Sequence, residues 1–543
     1  MAELHPVRRS RLAAGLTRLA DWALRTRRRL WLCSFALFLA LAGAWAAATP
    51  LGASPDEHAH FIRAAAVARG QLGGPEVMVK HTVAGVDSEF SETGVQLPAW
   101  YAQLPTEHEC YSWKTAVPAN CAPKIGSGGP TAQATTAAGR YHPAYYLYVG
   151  LPSLVTDGPT ALYLMRLASA VLCAALLASA VVTTAEWRNR RPAMTGLLVA
   201  ATPTALFLAG MVNPSGGEIA AGVLVWSAML AVLRSPDPLL LNRRLARLGI
   251  GGLVLIDIRP LGLLWFAGAA VVGLLGHRRG ALRPLLRRKA LWAWTLLLGI
   301  ASAGALLWSR NHPDHSVITL PDWYNSPSVA AKVAFDNSMD YIHQMIGWFG
   351  WLDTKPPVVT WVVWTGAVGL LAVLTVVFCR RRDSLAVFLV AVGIVLAPPA
   401  AQAAQYHLGP VWQGRYLMPF AVGLPLLCGA VLADRAASGG PALPWRRITA
   451  TVVIPLALVN VAAFYWTLHR FVVGATGSLV NRHAHWLPPG GWVVWTALYA
   501  VAALLLVVPA FASDRGEDPA AAGRAGRRRH RLRADDPPLA AVD

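Results

Sequence analysis

Charge is scarce in this chain. Only 14% of its 543 residues are Asp, Glu, Lys or Arg, whereas 55% are hydrophobic and 22 are Trp. That shortage excludes an ordinary soluble globule and points to a polytopic membrane protein. Acidic residues are the rarer sign, 28 against 48 basic ones, leaving a formal net charge of +20. Nucleic-acid binding would require the basic residues to cluster on a soluble domain, but they punctuate the ends of apolar runs, which is the pattern of membrane topology. Cysteine is also sparse. Of the six, Cys33, Cys173, Cys379 and Cys428 lie within or at the ends of apolar runs and read as single buried thiols. Cys110 and Cys121 flank a polar loop that, placed outside the cytoplasm, would allow a small disulfide. No second Cys pair follows at zinc-ligand spacing, so these two do not read as a metal site. No internal repeat is evident, and an inverted-repeat transporter is therefore not supported. A cleavable signal is not evident either: the run from Leu30 to Ala48 is of spanning length and reads as a first transmembrane helix behind a basic N-terminus.

Apolar runs of about 20 residues fall near 30–49, 160–184, 193–211, 216–233, 289–308, 358–379, 384–400, 415–433, 448–467 and 491–512. Residues 245–276 are too long for one helix and are interrupted by Asp257-Ile258-Arg259-Pro260, so they divide into two short segments meeting at that polar corner. With the N-terminus cytoplasmic, the segments Glu186 to Arg191, Arg234 to Arg247, His277 to Lys289, Arg380 to Asp383 and Asp434 to Arg447 all fall on the inner side, and each is rich in Arg or Lys. The agreement requires 245–276 to cross twice, which makes twelve crossings. The expected architecture is an all-α polytopic membrane protein of about 12 transmembrane helices. It comprises a basic cytoplasmic N-terminus (1–29), a transmembrane module (30–512) with two structured outer loops (51–159 and 309–357), and a tail (513–543) whose Ala/Gly/Arg-rich composition predicts disorder. Within the first loop, Tyr141 to Tyr146 reads as an amphipathic re-entry.

Directly after the first span comes Ser54-Pro55-Asp56-Glu57-His58-Ala59-His60-Phe61-Ile62-Arg63. Ser54 at N-cap, Pro55 at N1 and Glu57 at N3 predict a capping box. On such a helix Asp56, His60 and Arg63 share a face, suited to a substrate hydroxyl, a metal or a phosphate. Arg259 at its corner and Arg415 with Tyr416 at the start of an apolar segment are either snorkelling anchors or guanidinium forks converging on an anionic headgroup. Trp348, Trp351 and Asp353 read either as an interfacial aromatic belt or as a sugar-stacking and hydroxyl-binding edge. Asn213-Pro214-Ser215 through Glu218 reads as a turn and helix cap.

Three motifs carry a resemblance: Ser54-Pro55-Asp56-Glu57-His58-Ala59-His60, Gly347-Trp348-Phe349-Gly350-Trp351-Leu352-Asp353 and Gln413-Gly414-Arg415-Tyr416-Leu417-Met418-Pro419. In this order they resemble the bacterial membrane-protein family called domain of unknown function 2142, over roughly Leu30 to Val508. Members are taken to resemble GT-C class glycosyltransferases, which use polyprenyl-phosphate sugars and keep an acidic motif in the first outer loop. The resemblance implies a multi-pass enzyme of the bacterial plasma membrane that moves a sugar from a polyprenyl-phosphate donor to an envelope glycan or lipid-linked acceptor. Asp56 or Glu57 would serve as the base of an inverting displacement. His60, Arg63, Arg259, Trp351, Asp353, Gln413, Arg415 and Tyr416 would bind substrate. Asp56, Glu57, His58 and His60 carry ligand-type atoms for a divalent metal such as Mg or Mn, and no other cofactor is implied. Two alternatives use the same residues: a transporter or flippase of a lipid-linked saccharide, and an envelope-assembly protein without catalysis.

Overall fold

The computed structural model describes residues 11–83, 86–106, 108–481 and 483–512, so the tail expected to be disordered lies outside the described residues. A short amphipathic helix, α1 (Arg11–Ala23), precedes α2 (Arg27–Ala48), whose first turn is capped by the Thr26 hydroxyl accepting the Arg29 amide. In the bundle α5 (Gly158–Ala185) packs on α2, and α8 (Pro214–Arg234) packs on α5. Every residue of α8 is buried, as its all-round apolar sequence demands of a central helix. Between them α6 (Arg190–Ala200) and α7 (Pro203–Ala209) form one broken span bent by 66°, with Thr202 capping α7 and Pro203 at its first position. The rest of the bundle is α9 (Leu241–Ile258), α10 (Gly262–Leu275), the short α11 (Leu282–Leu286), α12 (Lys289–Asn311), α15 (Val358–Phe378), α16 (Arg381–Ala404), α17 and α18 (Met418–Ala421 and Gly423–Ala437), α19 (Trp445–Val473) and α20 (Trp492–Leu506). In the second loop lie α13 (Pro327–Asp336) and α14 (Ser338–Ile346). Gly196 and Gly429 let α6 and α18 approach backbone to backbone: a Cβ on Gly196 would lie 2.3 Å from the Pro425 carbonyl oxygen.

Nine helices among the described residues are long and apolar enough to cross a membrane, and the bent α6–α7 pair makes ten. The expected count of about twelve would include α9 and α10 as two further crossings. Neither half qualifies by itself, because α9 carries Arg243, Arg244, Arg247 and Asp257, and α10 has only 14 residues. The double crossing is nonetheless visible in the ion pairs. Arg244 and Arg247 at the start of α9 reach Glu186, as does Arg27 of α2. Arg278 just after α10 reaches Asp434, which with Asp383 also holds Arg234. These groups define one basic end of the bundle, and Arg259 lies at the other.

Two features of the first outer loop differ from an all-α reading with a re-entry. Within the mostly helical chain β1 (Glu76–Val83), β2 (Val86–Pro98) and β3 (Thr131–Thr136) form an antiparallel sheet in the order β1-β2-β3. The period-2 spacing of Val77 and Val79, with the exposed Met78 between them, and of Val95 and Leu97 around Gln96 is the signal for it. The stretch expected to re-enter the membrane forms α4 (Pro143–Gly150), which packs on α3 (Glu57–Ala68) and buries Tyr145 and Tyr146 with Phe61 and Ile62. With α4 on one side and sheet residues Val95 and Leu97 on another, α3 is buried on nearly all sides, and no solvent-facing stripe exists on it.

Candidate functional site

The chain between α2 and α3 is positioned by a buried ion pair. Arg166 of α5 donates to the carbonyls of Ala46, Thr49 and Pro50 at 2.6–2.8 Å, capping the end of α2, and binds both carboxylate oxygens of Glu57 at 2.8 and 2.5 Å. The same oxygens accept the amides of Val212 (3.1 Å) and Gly52 (3.2 Å). Both side chains are 0% exposed. Glu57 therefore has no oxygen left for an acceptor, and its candidacy as a base is withdrawn: it is a structural counter-ion.

The capping box does not form either. The helix begins at Glu57, two residues later than expected, and Asp56 precedes it at φ +59° without capping it through its side chain. A left-handed Asp is tolerated at a cost of roughly 1–2 kcal/mol. The turn instead aims the Asp56 carboxylate across the mouth of the bundle. There it meets Arg415 in a 2.5 Å ion pair, while half of the Asp56 side chain stays exposed. Arg415 also donates to the Pro55 carbonyl (3.4 Å) and the Tyr416 hydroxyl (3.3 Å). Its turn is fixed by Gly414, whose amide donates to Gln344 at 2.7 Å and whose missing side chain admits the Tyr341 carbonyl 2.4 Å from where a Cβ would stand.

Arg259 arrives from the α9–α10 corner. Its guanidinium lies 4.5 Å from the centre of the Tyr416 ring, while that of Arg415 lies 5.2 Å from it, so both cations meet one phenol ring. Arg259 donates to Ser215 (2.7 Å) and Tyr141 (3.3 Å) and stands 3.9 Å from Glu218. Glu218 is 1% exposed, and neither carboxylate oxygen has a hydrogen-bond partner among the described residues. Neither this residue nor Tyr141 stands out as a site residue in the sequence alone; an acid inside an otherwise apolar span is the available signal for Glu218.

The remaining candidates divide. His60 is near the cluster but buried, its Nδ1 2.9 Å from the Tyr146 hydroxyl. Arg63 is turned away, with 2.9 and 3.1 Å bonds to the carbonyls of Leu72 and Tyr141; it supports the site only through Tyr141. Asp353 is the counter-ion of Arg470 (3.0 Å), accepts the Trp113 amide (3.0 Å) and is 4% exposed, so it offers no hydroxyl-binding edge. Trp351 donates to the Gly52 carbonyl (3.0 Å) and stacks on His108 at 4.3 Å and His58 at 5.7 Å. Gln413 lines a narrow cavity with Pro55, Trp348, Leu352 and Arg415, its Oε1 buried and unpartnered. Cys110 and Cys121 form the expected disulfide. The four ligand-type residues Asp56, Glu57, His58 and His60 do not converge: Glu57 is held by Arg166 and His60 by Tyr146. Among the described residues no group of three His, Cys, Asp or Glu is placed to hold a metal ion.

Electrostatics follow the geometry. Burial raises the Asp56 carboxyl, but the Arg415 guanidinium outweighs it and holds the acid down at about 2, so it is ionised. Burial pushes His60 down to about 3, against Asp56 and aided by the nearby Arg259 and Arg415 charges; its ring is neutral. His108 falls to about 4, again through burial and then the neighbouring His58. The arrangement offers a partly exposed carboxylate beside two forked cations, which suits a ligand combining a hydroxyl with a phosphate.

A comparison with curated proteins found no match. Among solved structures the chain is similar to ArnT from Cupriavidus metallidurans bound to undecaprenyl phosphate, with 13% identity, 94% of this chain and 82% of that chain covered, and a TM-score of 0.42. It is similar also to the apo state of that protein, with 13% identity, 92% and 77% coverage and a TM-score of 0.37. Residues 37–424, more than two thirds of the chain, match the family described as predicted membrane protein DUF2142. This span contains Asp56, Arg259, Arg415 and Tyr416, and the chain belongs to that family.

Proposed function

We propose that the protein is a membrane glycosyltransferase that moves a sugar from a polyprenyl-phosphate donor to an envelope glycan or lipid-linked acceptor. The observation that carries this reading is the convergence of Asp56, Arg259 and Arg415-Tyr416, which are hundreds of residues apart, around one 2.5 Å ion pair at one end of the bundle. A snorkelling anchor needs no such partner, and an isolated cap would not aim its carboxylate at an arginine. The basic end, with Glu186 and its three arginines, then faces the cytoplasm together with both termini, and the site faces outward from the bacterial plasma membrane.

The chemistry needs one base. The acceptor hydroxyl attacks the anomeric carbon, the bond from that carbon to the phosphate oxygen breaks with inversion, and the electron pair leaves on polyprenyl phosphate. Phosphate is a competent leaving group without protonation, so no second carboxylic acid is required across the bond, unlike in a glycosidase. Asp56 takes the hydroxyl proton, and Arg259 and Arg415 stabilise the departing phosphate. The ion pair also supplies an order of events. A carboxyl held at about 2 is a poor base; a donor phosphate competing for Arg415 relaxes that hold and raises the basicity of Asp56 where the acceptor arrives.

The test is transfer by the purified full chain from labelled polyprenyl-phosphate sugars to envelope acceptors. Asp56→Asn is expected to lose at least 100-fold in rate, the range of general-base removal, while remaining folded. Unchanged transfer in that variant would remove Asp56 from the mechanism, and movement of intact donor across vesicles without release of polyprenyl phosphate would replace transfer by transport.

A further inference from the structure

Among the described residues four non-glycine residues have positive φ, and three of them surround one spot: Asp56, Trp113 (φ +58°) and Leu352 (φ +60°). A left-handed Asp is tolerated, but a left-handed Trp is a true outlier that the surroundings must enforce. They do so visibly. The Trp113 amide donates to Asp353, itself locked by Arg470, and Arg470 also donates to the Tyr111 carbonyl at 2.7 Å. The Cys110–Cys121 disulfide closes the loop around it, and the Ala475 amide binds the Thr115 carbonyl at 2.8 Å. All this restraint holds an indole that is 66% exposed. Burial therefore does not account for it, since the side chain gains little apolar contact from being placed there.

What it adjoins is the site. Trp113 lies 5.6 Å, centre to centre, from Trp351, which stacks on His108 and on His58, two residues beyond Asp56. His108 is near enough for the Asp56 charge to bear on its titration. One ring system thus runs from the carboxylate to an open indole face, on the part of the site made by the disulfide loop and apart from the Arg259–Tyr416–Arg415 cations.

We infer that Trp113 is a saccharide-stacking platform: the rigid disulfide loop presents its indole to the apolar face of an acceptor sugar and leads that sugar's hydroxyl toward Asp56. An indole face and the C–H face of a pyranose are complementary, and a pre-ordered side chain loses little rotamer entropy on binding. This rests on the transferase reading for the direction of the sugar, but saccharide binding at Trp113 is measurable without transfer.

The experiment uses the full chain in nanodiscs and saturation-transfer NMR with oligomers of glucose, galactose, mannose and arabinose as probes. The informative variant is Trp113→Gly, because glycine accepts the positive φ and keeps the loop while removing the ring. At least one probe is expected to bind the wild type, about tenfold more weakly to Trp113→Gly, with Trp113→Phe recovering most of the loss. Undecaprenyl phosphate binding, the probe for the cationic half, is expected to be equal in all three. Failure of the wild type to bind any probe, or equal binding by Trp113→Gly, overturns the platform; so does a ring that serves only to hold the protein at a lipid surface, which would leave saccharide signals unchanged. Probe binding without transfer would instead overturn the transferase reading and leave the platform standing.

Discussion

Replacing Glu57 by Gln is the sharpest check on how this site is built. The change preserves volume and removes one charge, so a catalytic and a structural role for Glu57 predict different things. Arg166 would stay behind as a cation with 0% exposure and three carbonyls around it, but with no counter-ion. The amide group of Gln would also turn donors toward a guanidinium that needs acceptors. Breaking one side of a buried pair costs roughly 3–5 kcal/mol, which is about 100- to 1,000-fold or more in an unfolding equilibrium. Because both groups are fully enclosed, solvent screening offers no relief. The assay is the rate at which a thiol dye labels the buried Cys173 and Cys428, which report opening of the bundle without requiring reversible unfolding. Glu57→Gln should label far faster than the wild type, and Arg166→Gln likewise. A Glu57→Leu/Arg166→Leu pair should be less damaging than either single change, since no unpaired charge remains. Asp56→Asn, whose side chain is half exposed, should cost less than about 1 kcal/mol. Wild-type labelling of Glu57→Gln together with loss of transfer would refute the structural assignment and return Glu57 to the chemistry.

Two further outcomes follow from the site's geometry and charge. His60 and His108, ordinarily near 6.5, are depressed to about 3 and about 4. The unfolded chain therefore binds more protons than the native one below 6.5, and stability falls as pH drops from 6.5 toward 4. Measured between pH 6.5 and 5 by the same labelling, the slope should approach an upper bound of about 1.4 kcal/mol per pH unit per group and be reduced in His60→Gln and His108→Gln; an unaltered slope in both would contradict the burial of neutral rings. Gly414→Ala places a Cβ 2.4 Å from the Tyr341 carbonyl oxygen, an overlap costing about 1–3 kcal/mol. Relieving it moves Arg415 off Asp56, so transfer should fall more than stability does, and equal activity would show that the backbone yields elsewhere.

How much of this was readable in advance depends on whether the residue's partner was local. Spans, the corner at Arg259 and the double crossing of 245–276 follow from apolar run length and from charges that must stay near water, both properties of short windows. The sheet in the first loop also has a local signal, the alternation around Val77 and Val95, which the expectation of a structured outer loop leaves unassigned. The capping box failed because Ser54, Pro55 and Glu57 satisfy a local pattern that tertiary contacts overrode: Arg166, 109 residues away, claims the Glu57 carboxylate, and Arg415, 359 residues from Asp56, claims its neighbour.

The same distinction separates Asp56 from Glu57. As neighbouring acids at the end of the first span they are equivalent in sequence, and sequence alone established only that a carboxylate motif, two arginines and an aromatic motif stand at the ends of membrane helices. The tertiary structure set them apart, because it placed Arg166, fully enclosed, on one acid and Arg415, at an open mouth, on the other. It likewise spent Asp353 on Arg470 and brought forward Glu218, Tyr141 and Trp113. Run length and charge are additive along a chain. Burial and ion pairing depend on which distant element arrives, and only the packed bundle specifies that.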